Sequence, residues 1–436
     1  MAVKPAIVDR IIARFTFGAV AVYCLAICAI VGYRARSTDR EAATLDFRDF
    51  WLTAREFFRS GRIRDDLGVH NYPPIFTILM TPFGVAPLQP AAVMFTLFSI
   101  AIFAWSLWSL SRSLGVASRG PIALATLAAL PYIHATLVLG QVNLITAGAL
   151  IAGLATLPRF RSTLTGVFIA LAAVIKIMPA LLVGLLVLRG RVVAAIVALT
   201  LIATIGFGLP IALLGANESR SQYVAFFERA AAGHSARATI AAEKPQKAKY
   251  SNVAVPMVLR RLLTGVDAAP GAPNGPMFVN VVDWPTQRVW WVYVTLAALI
   301  ALTTVSVTVR LTWFHATDSG SATVALYGAW SAAALLASPL VWTHHLAMAF
   351  PTVFALAFHA LGEGAGSTER HSASKTVRRV AIVGLIGWLV AAATLISPEA
   401  RAAGGPMWGV LFAWVCCLIV AFQTNASQPL AAEALA

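Results

Sequence analysis

Long apolar segments recur along the whole chain, and they constrain the fold more than any other feature. A helix needs about 20 mostly apolar residues to cross the hydrocarbon core of a bilayer. By that criterion the chain holds about 12 candidate membrane spans, with a range of about 10 to 13. They lie near residues 15–33, 74–112 (broken), 120–138, 141–157, 163–176, 178–189, 191–214, 289–312, 322–337, 340–361, 379–397 and 405–423. The sequence therefore predicts an all-α polytopic membrane protein.

The amino-acid composition agrees with that of a membrane protein. Of the 436 residues, 59% are hydrophobic and 12% are charged, whereas soluble domains carry about 25% charged residues. The net charge of +15 is typical of basic cytoplasmic loops beside anionic headgroups, so we expect membrane lipids and no nucleic acid as partners. The four cysteines lie in apolar segments and are predicted to be packed thiols. No metal site and no cofactor are expected.

Basic residues in short loops predict the orientation of the chain. With 12 spans, all of these loops face the cytoplasm, as do both termini. They contain Lys4, Arg10 and Arg14, then Arg112 and Arg119, Arg159 and Arg161, Arg189 and Arg191, and Arg370, Lys375, Arg378 and Arg379. The two long loops, 34–73 and 215–288, then face outside. Neither is large enough for a domain of its own, so residues 1–436 are predicted to form one membrane-embedded domain in the cytoplasmic membrane.

Two of the predicted spans are irregular. Segment 74–112 contains Pro82, Pro87 and Pro90, and it is interpreted as an outer half-helix followed by a full span. Segment 163–189 must leave the cytoplasmic side and return to it. Each half has about 12–14 residues, or about 20 Å of helix, which leaves room for its apex at Lys176 to lie within the membrane.

The first outer loop contains a predicted amphipathic helix. Apolar residues recur with helical spacing at positions 47, 50, 51, 54, 57 and 58. Asp46 stands at the N-cap and Gly61 follows the last turn, so the helix is expected to lie along the outer membrane surface. Asp46 is either a helix cap or a carboxylate that takes a proton from a substrate hydroxyl. Asp49, one turn further on, is the alternative base.

Further polar residues fall at the predicted outer ends of the spans. An intramembrane Lys176 needs a compensating partner, and an anionic lipid phosphate would serve; the alternative is snorkelling to the interface. Adjacent histidines such as His344 and His345 are a poor pair for one metal, and donating hydrogen bonds to a phosphate fits them better. Only one of the two is expected to face the cavity. Gln141 and Asn143 suit either a turn or a substrate contact.

Taken together, these residues indicate a transferase that acts on a lipid-phosphate donor. A carboxylate is available for the acceptor, and cationic side chains are available for the phosphate. The alternatives from the residues alone are a transporter or lipid flippase, or a non-catalytic scaffold. The inner halves of the spans hold almost no ionisable residues, which argues against a polar path for transport.

Several short motifs of the chain together resemble those of a known family. Their order and spacing, from about residue 46 to about residue 350, resemble bacterial multi-helix glycosyltransferases of the GT-C superfamily, which include mannosyltransferases and arabinofuranosyltransferases. The motifs are the Asp46-Phe47 to Gly61 helix, Tyr72-Pro73-Pro74, Gly140-Gln141-Val142-Asn143, Lys176 with Pro179, Ser251-Asn252 to Arg261-Leu262-Leu263, and Ser338-Pro339 with His344-His345.

The resemblance implies a specific reaction. A sugar, with mannose first and arabinofuranose second, would move from a polyprenyl-phosphate donor to a glycolipid or glycan acceptor at the outer, periplasmic face. The anomeric centre would invert, Asp46 would be the general base, and no metal would be needed. Lys176, His344 and His345 would hold the donor phosphate. The resemblance further implies substrate contacts from Tyr72, Gln141, Asn143, Asn252 and Arg261.

Overall fold

The structure is a computed structural model of the chain. It describes residues 20, 22–36, 46–63, 72–115, 118–157, 162–232, 235–241, 249–270, 272–273, 275–313, 320–361 and 375–426. Several of the basic residues used for the predicted orientation lie outside the described residues, namely Lys4, Arg10, Arg14, Arg159, Arg161 and Arg370.

The described part of the chain is built from α-helices, joined by short turns and short 3-10 and π-helical pieces. In chain order the helices are α1 Val22–Arg34, α2 Phe47–Ser60, α3 Pro74–Gly84, α4 Leu88–Leu114, α5 Arg119–Leu139, α6 Asn143–Thr156, α7 Ser162–Ile175, α8 Leu182–Leu188, α9 Val192–Ala203, α10 Leu209–Leu214, α11 Ala216–Phe226, α12 Ala236–Ala241, α13 Val255–Leu263, α14 Thr286–Trp313, α15 Gly320–Ala337, α16 Phe350–Ala360, α17 Lys375–Ala393, α18 Pro398–Ala402 and α19 Gly405–Ala426. The prediction of an all-α polytopic membrane protein is confirmed.

Seven helices of the described chain are long and apolar enough to cross a membrane. They correspond to α4, α5, the continuous stretch from α9 to α10, α14, α15, α17 and α19. Five further apolar helices are shorter: α1, α3, α6, α7 and the stretch Met178–Leu188 that contains α8. The predicted break in segment 74–112 is confirmed, because α3 ends at Gly84 and α4 begins at Leu88.

Some of the apolar helices are too short to cross the hydrocarbon core of a bilayer. Helix α7 has 14 residues, or about 21 Å of helix, which is less than the roughly 30 Å hydrocarbon core. The chain leaves α7 at Lys176 and turns through a 3-10 helix, Met178–Leu181, into α8. Likewise, predicted span 340–361 consists of a 3-10 helix, Thr343–Ala349, and the short α16, both almost entirely buried. Their polar ends therefore lie inside the protein.

Helix α2 is amphipathic as predicted, but its apolar face contacts protein. Phe47 stacks on Phe95 of α4 with ring centroids 4.9 Å apart, and the Trp51 indole donates a hydrogen bond to the Ala86 carbonyl. A Cβ built on Gly84 of α3 would lie 2.6 Å from a backbone nitrogen of α2, so the two helices are in backbone contact. Phe47 and Trp51 on this apolar face are therefore covered by protein. The helix is fixed to α3 and α4 because its aromatic residues pack there.

Candidate active site

A large cavity opens where the ends of several helices meet. Its volume is about 980 Å³. It lies at the C-terminal ends of α5, α7 and α15 and at the N-terminal end of α2. Its polar lining consists of Asp46, Asp49, Tyr72, Gln141, Lys176, Lys249, Ser251, Ser338, Thr343, His344 and His345. Ile177, Met178, Leu181, Phe226 and Leu340 contribute to its apolar lining.

A chain of side-chain hydrogen bonds begins at Asp46. Gln141 Nε2 donates to Asp46 Oδ2 at 2.6 Å, and the Tyr72 hydroxyl donates to Gln141 Oε1 at 2.8 Å. Asp46 does stand at the N-cap of α2, but its side chain makes no capping hydrogen bond. The interpretation of Asp46 as a helix cap and nothing more is therefore wrong, because its carboxylate bonds Gln141 instead of the end of α2.

Local backbone geometry places Gln141 at this point. Helix α5 ends at Leu139, and the next residue, Gly140, has a left-handed φ of 65°, which glycine tolerates best. The Gln141 backbone N–H then bonds back to the Thr136 carbonyl, and the chain reverses into α6. This turn leaves the Gln141 side chain directed at Asp46, at the start of α2.

Burial makes Asp46 a stronger base than an exposed aspartate. Desolvation raises the pKa of Asp46, the hydrogen bond from Gln141 lowers it, the charge of Asp49 raises it, and the charges of Lys176 and Arg34 lower it. The net direction is upward because burial is the largest cause. A carboxylate with a raised pKa holds a proton more firmly once it has accepted it, which suits a general base.

Lys176 and His345 lie side by side in the cavity wall. Lys176 Nζ lies 2.9 Å from His345 Nε2, and it also lies 5.4 Å from the centroid of the Tyr72 ring. Both side chains are buried, with 8% and 6% of their surfaces exposed. Within the protein, the neighbours of the Lys176 amine are thus an imidazole and an aromatic face, and Lys176 also lines the cavity.

Both histidines line the cavity, so the expectation that only one of them faces it is wrong. The cavity wraps around the first turn of the 3-10 helix, and the two rings stand nearly perpendicular with centroids 4.7 Å apart. His344 Nε2 is buried and has no hydrogen-bond partner in the described structure. A buried nitrogen of this kind is costly unless a ligand pairs with it.

Three predicted substrate contacts do not line the cavity: Asn143, Asn252 and Arg261. Asn143 is fully buried in α6, and neither atom of its amide has a partner among the described residues. The Asn252 side chain accepts a hydrogen bond from the Ala254 backbone N–H. Arg261 is fully buried and donates to the backbone carbonyls of Ala402, Lys249 and Asn252.

Lys249 and Ser251 form a further part of the cavity wall. Ser251 belongs to one of the sequence motifs, whereas nothing singled out Lys249 except its position two residues before it. The backbone brings this wall to the histidine segment: Asn252 and Trp342 form an antiparallel β-bridge, and the Val253 N–H donates to the Val341 carbonyl at 2.6 Å. Among the described residues, no group of three or more His, Cys, Asp or Glu side chains is placed to hold a metal ion.

The comparison with known protein families decides the identity. A family model described as glycosyltransferase family 87 matches residues 70–339, which is more than half of the chain. The chain belongs to glycosyltransferase family 87. No curated protein and no solved structure matches the chain.

Membership of glycosyltransferase family 87 makes this protein a membrane glycosyltransferase, as the resemblance implied. Tyr72, Gln141 and Lys176 lie within the matched segment, whereas Asp46 precedes it and the two histidines follow it. Folding brings both groups to one cavity. The cavity of this family 87 glycosyltransferase is therefore its candidate active site.

Proposed function

We propose that this family 87 enzyme transfers a sugar from a polyprenyl-phosphate donor to a hydroxyl of a glycolipid or glycan acceptor, with inversion and with Asp46 as general base. The observation that carries the proposal is the shared cavity, which Asp46, Lys176, His344 and His345 all line. The cavity offers a base for the acceptor, together with a lysine and hydrogen-bonding groups for a phosphate.

The proposed reaction is a single displacement. The acceptor oxygen forms a bond to the anomeric carbon as the bond from that carbon to the phosphate oxygen breaks. The acceptor proton passes to the Asp46 carboxylate. Polyprenyl phosphate leaves with one more negative charge than it carried as the diester of the donor. Attack and departure on opposite faces of the sugar invert the anomeric centre.

The leaving phosphate needs positive charge more than it needs an acid. The Lys176 ammonium can stabilise the negative charge that develops on the phosphate, because electrostatic stabilisation is strong in a site that excludes water. His344 Nε2, buried without a partner, can donate a hydrogen bond to the same group in the appropriate tautomer. His345 contacts Lys176 and keeps the ammonium at the cavity surface.

The apolar lining suits the lipid part of the donor. Ile177 and Leu181 are 52% and 45% exposed, although they line the cavity beside Lys176. An isoprenoid chain can lie against such residues while its phosphate reaches the ammonium, because burying apolar surface is favourable at about 25 cal/mol per Å². The donor then reaches the active site from the membrane.

We place the active site at the outer face of the cytoplasmic membrane, with both termini in the cytoplasm. The cavity lies at the ends of α5 and α7 that are opposite their starts, and α5 starts at the basic residue Arg119. Arg112 lies in the last turn of α4, and Arg189 and Arg191 flank the turn after α8. Basic loops favour the cytoplasm, which supports an outer position for the cavity. Mannose is the first sugar to test, and arabinofuranose is the second.

A transfer assay with purified enzyme tests the proposal. The enzyme in lipid nanodiscs is given polyprenyl-phosphate mannose, or in parallel the arabinofuranose donor, with a mixture of membrane glycolipid acceptors. We expect release of polyprenyl phosphate and a product with the inverted anomeric configuration. Asp46→Asn should reduce turnover by roughly 10³-fold. Full turnover by Asp46→Asn together with an inactive Asp49→Asn would assign the base to Asp49 instead.

A further inference from the structure

We propose that Tyr72 and Gln141 are positioning residues that fix the orientation of the Asp46 carboxylate, rather than substrate contacts. This inference rests on the proposed function, in which Asp46 is the base. In this arrangement Tyr72 acts on Asp46 only through the Gln141 amide. The three side chains come from three separate parts of the chain: the start of α2, the residues before α3 and the turn after α5.

The hydrogen bonds give the Gln141 amide one consistent orientation. The side-chain amide has an acceptor oxygen at one end of its plane and a donor NH₂ at the other. The Tyr72 hydroxyl lies 2.8 Å from Oε1, and Nε2 lies 2.6 Å from Asp46 Oδ2. A flipped amide would set its carbonyl oxygen against the carboxylate, which is repulsive. By donating to Oε1, Tyr72 stabilises the orientation that presents NH₂ to Asp46.

Tyr72 is itself held by aromatic contacts. Its ring stacks on Phe76 with centroids 4.4 Å apart, and it meets Phe50 edge to face at 5.1 Å. Phe76 belongs to α3 and Phe50 to α2, so the phenol ring fills the junction between these two helices. With the ring fixed, the hydroxyl has little freedom to follow a mobile substrate. It is suited to hold a fixed neighbour.

The amide leaves one carboxylate oxygen for the acceptor. Asp46 Oδ2 accepts the bond from Gln141, whereas Oδ1 makes no hydrogen bond within the part of the chain that the structure describes. Because the carboxylate plane is held at Oδ2, Oδ1 points in one direction instead of rotating. A base needs such placement, since a misplacement of about 1 Å costs about 100-fold in rate.

Two substitutions test the inference, with Asp46→Asn as reference. Tyr72→Phe keeps the ring and its stacking but removes the hydroxyl, and Gln141→Ala removes the amide. We expect Tyr72→Phe to lower kcat by roughly 5- to 30-fold and Gln141→Ala by roughly 100-fold, with KM for the acceptor within about 2-fold. The acid limb of kcat/KM should move to higher pH in both variants, because the Gln141 hydrogen bond stabilises the charged carboxylate.

The double variant decides whether Tyr72 acts through Gln141. If it does, Tyr72→Phe should have no further effect in a Gln141→Ala background, since the hydroxyl then has no amide to orient. Multiplicative effects on kcat, or a raised acceptor KM with kcat and the acid limb unchanged, would overturn the inference and favour substrate contact. Tyr132→Phe is the matched control, because Tyr132 is a buried tyrosine of α5 outside the cavity lining, and it should keep full activity.

The outcomes separate this inference from the proposed function. An inactive Asp46→Asn together with an unaffected Tyr72→Phe contradicts the positioning pair and leaves the base in place. An active Asp46→Asn contradicts the proposed function itself. Gln141→Ala removes a side chain at a helix turn, so its melting temperature is measured alongside. If it does not fold, the pH profile of the milder Tyr72→Phe alone tests the inference, and an unmoved acid limb overturns it.

Discussion

Lys176 Nζ lies 2.9 Å from His345 Nε2, beside the cavity that also contains Asp46. An ammonium has three donors and no acceptor, so Lys176 donates to His345 Nε2 whenever it is charged. An anion bound in the cavity would favour that charged form, because a nearby opposite charge stabilises an ammonium. A phosphate would therefore supply the charge partner that a buried lysine needs.

Removing the ammonium should separate activity from stability. We expect Lys176→Met to lower kcat/KM for the lipid-phosphate donor by roughly 100-fold or more, because the leaving phosphate loses its cation. The melting temperature should stay the same or rise, since methionine does not have to be desolvated as a charged group. Lys375→Met, which removes an exposed lysine at the start of α17, is the control and should leave both quantities unchanged. A destabilised Lys176→Met with normal kinetics would contradict the assignment.

The pH profile of kcat/KM should have an acid limb that reports the protonation of Asp46. Burial, as the largest cause, raises the pKa of Asp46, so kcat/KM should fall as the pH drops through a value above the roughly 3.9 of an exposed aspartate. Because the pKa of Asp46 is higher in the folded protein than in the unfolded chain, folding favours the protonated carboxyl group. At neutral pH, where Asp46 is ionised, it therefore lowers the free energy of unfolding. Asp46→Asn should therefore be inactive at pH 7 but at least as stable as the parent enzyme there.

The measurement combines pH–rate profiles with thermal unfolding at several pH values. Stability that Asp46→Asn gains over the parent should be present at neutral pH and vanish as the pH falls below the titration of Asp46. An acid limb that is the same in Asp46→Asn as in the parent would show that another group titrates. Asp49, which also lines the cavity, would then be examined in the same way.

Helix positions were predictable because hydropathy and prolines mark them directly. Pro82, Pro87 and Pro90 predicted the break that separates α3 from α4, and Asp46 and Gly61 predicted the bounds of α2. The spacing of the apolar residues in α2 shows that they share one face of the helix, but not whether lipid or protein covers that face. Lipid and aromatic side chains are both apolar, so only the fold shows that Phe47 and Trp51 contact protein.

The polar residues of the site were partly predictable for a similar reason. Lys176, His344 and His345 stand out because charged or polar groups at the ends of apolar segments are expensive, and all three line the cavity. Lys249 carries no such signal, because lysine is ordinary in a polar loop. Arg261 stands in a motif, but a motif does not distinguish an arginine that contacts substrate from one that bonds backbone carbonyls.

The close contact between α2 and α3 should control the position of Asp46. A Cβ at Gly84 would lie 2.6 Å from the Arg55 backbone nitrogen and 2.7 Å from the Ala54 carbonyl carbon, and neither backbone atom can move without moving α2. We expect Gly84→Ala to lower kcat by roughly 10-fold or more, because a small displacement of the base is costly. Gly320→Ala is the matched control, since a Cβ there meets nothing within 4 Å.

Kinetics and hydrogen exchange together check this prediction. Faster exchange confined to α2 and α3 in Gly84→Ala, with the transfer rate reduced and the Gly320→Ala enzyme unchanged, is the expected result. A fully active Gly84→Ala enzyme would mean that α2 can shift without moving Asp46, and the contact would then have a purely structural role.

Arg261 should act by holding the cavity wall rather than by touching substrate. Its guanidinium joins three backbone carbonyls, those of Lys249, Asn252 and Ala402, and a lysine cannot reach all three because its donors radiate from one nitrogen. We expect Arg261→Lys to destabilise the protein by about 1–3 kcal/mol, since buried carbonyls lose their partners. Arg379→Lys, which changes an exposed arginine of α17, is the matched control.

Thermal unfolding and acceptor kinetics distinguish the two roles of Arg261. If it holds the wall, Arg261→Lys should melt earlier, and the loss of activity should shrink when the assay temperature is lowered, because the Lys249–Asn252 wall then re-forms. If Arg261 instead contacts substrate, KM should rise at every temperature with the melting temperature unchanged. The second pattern would restore the prediction from the motif, and it would require the buried guanidinium to reach a cavity that it does not line in this structure.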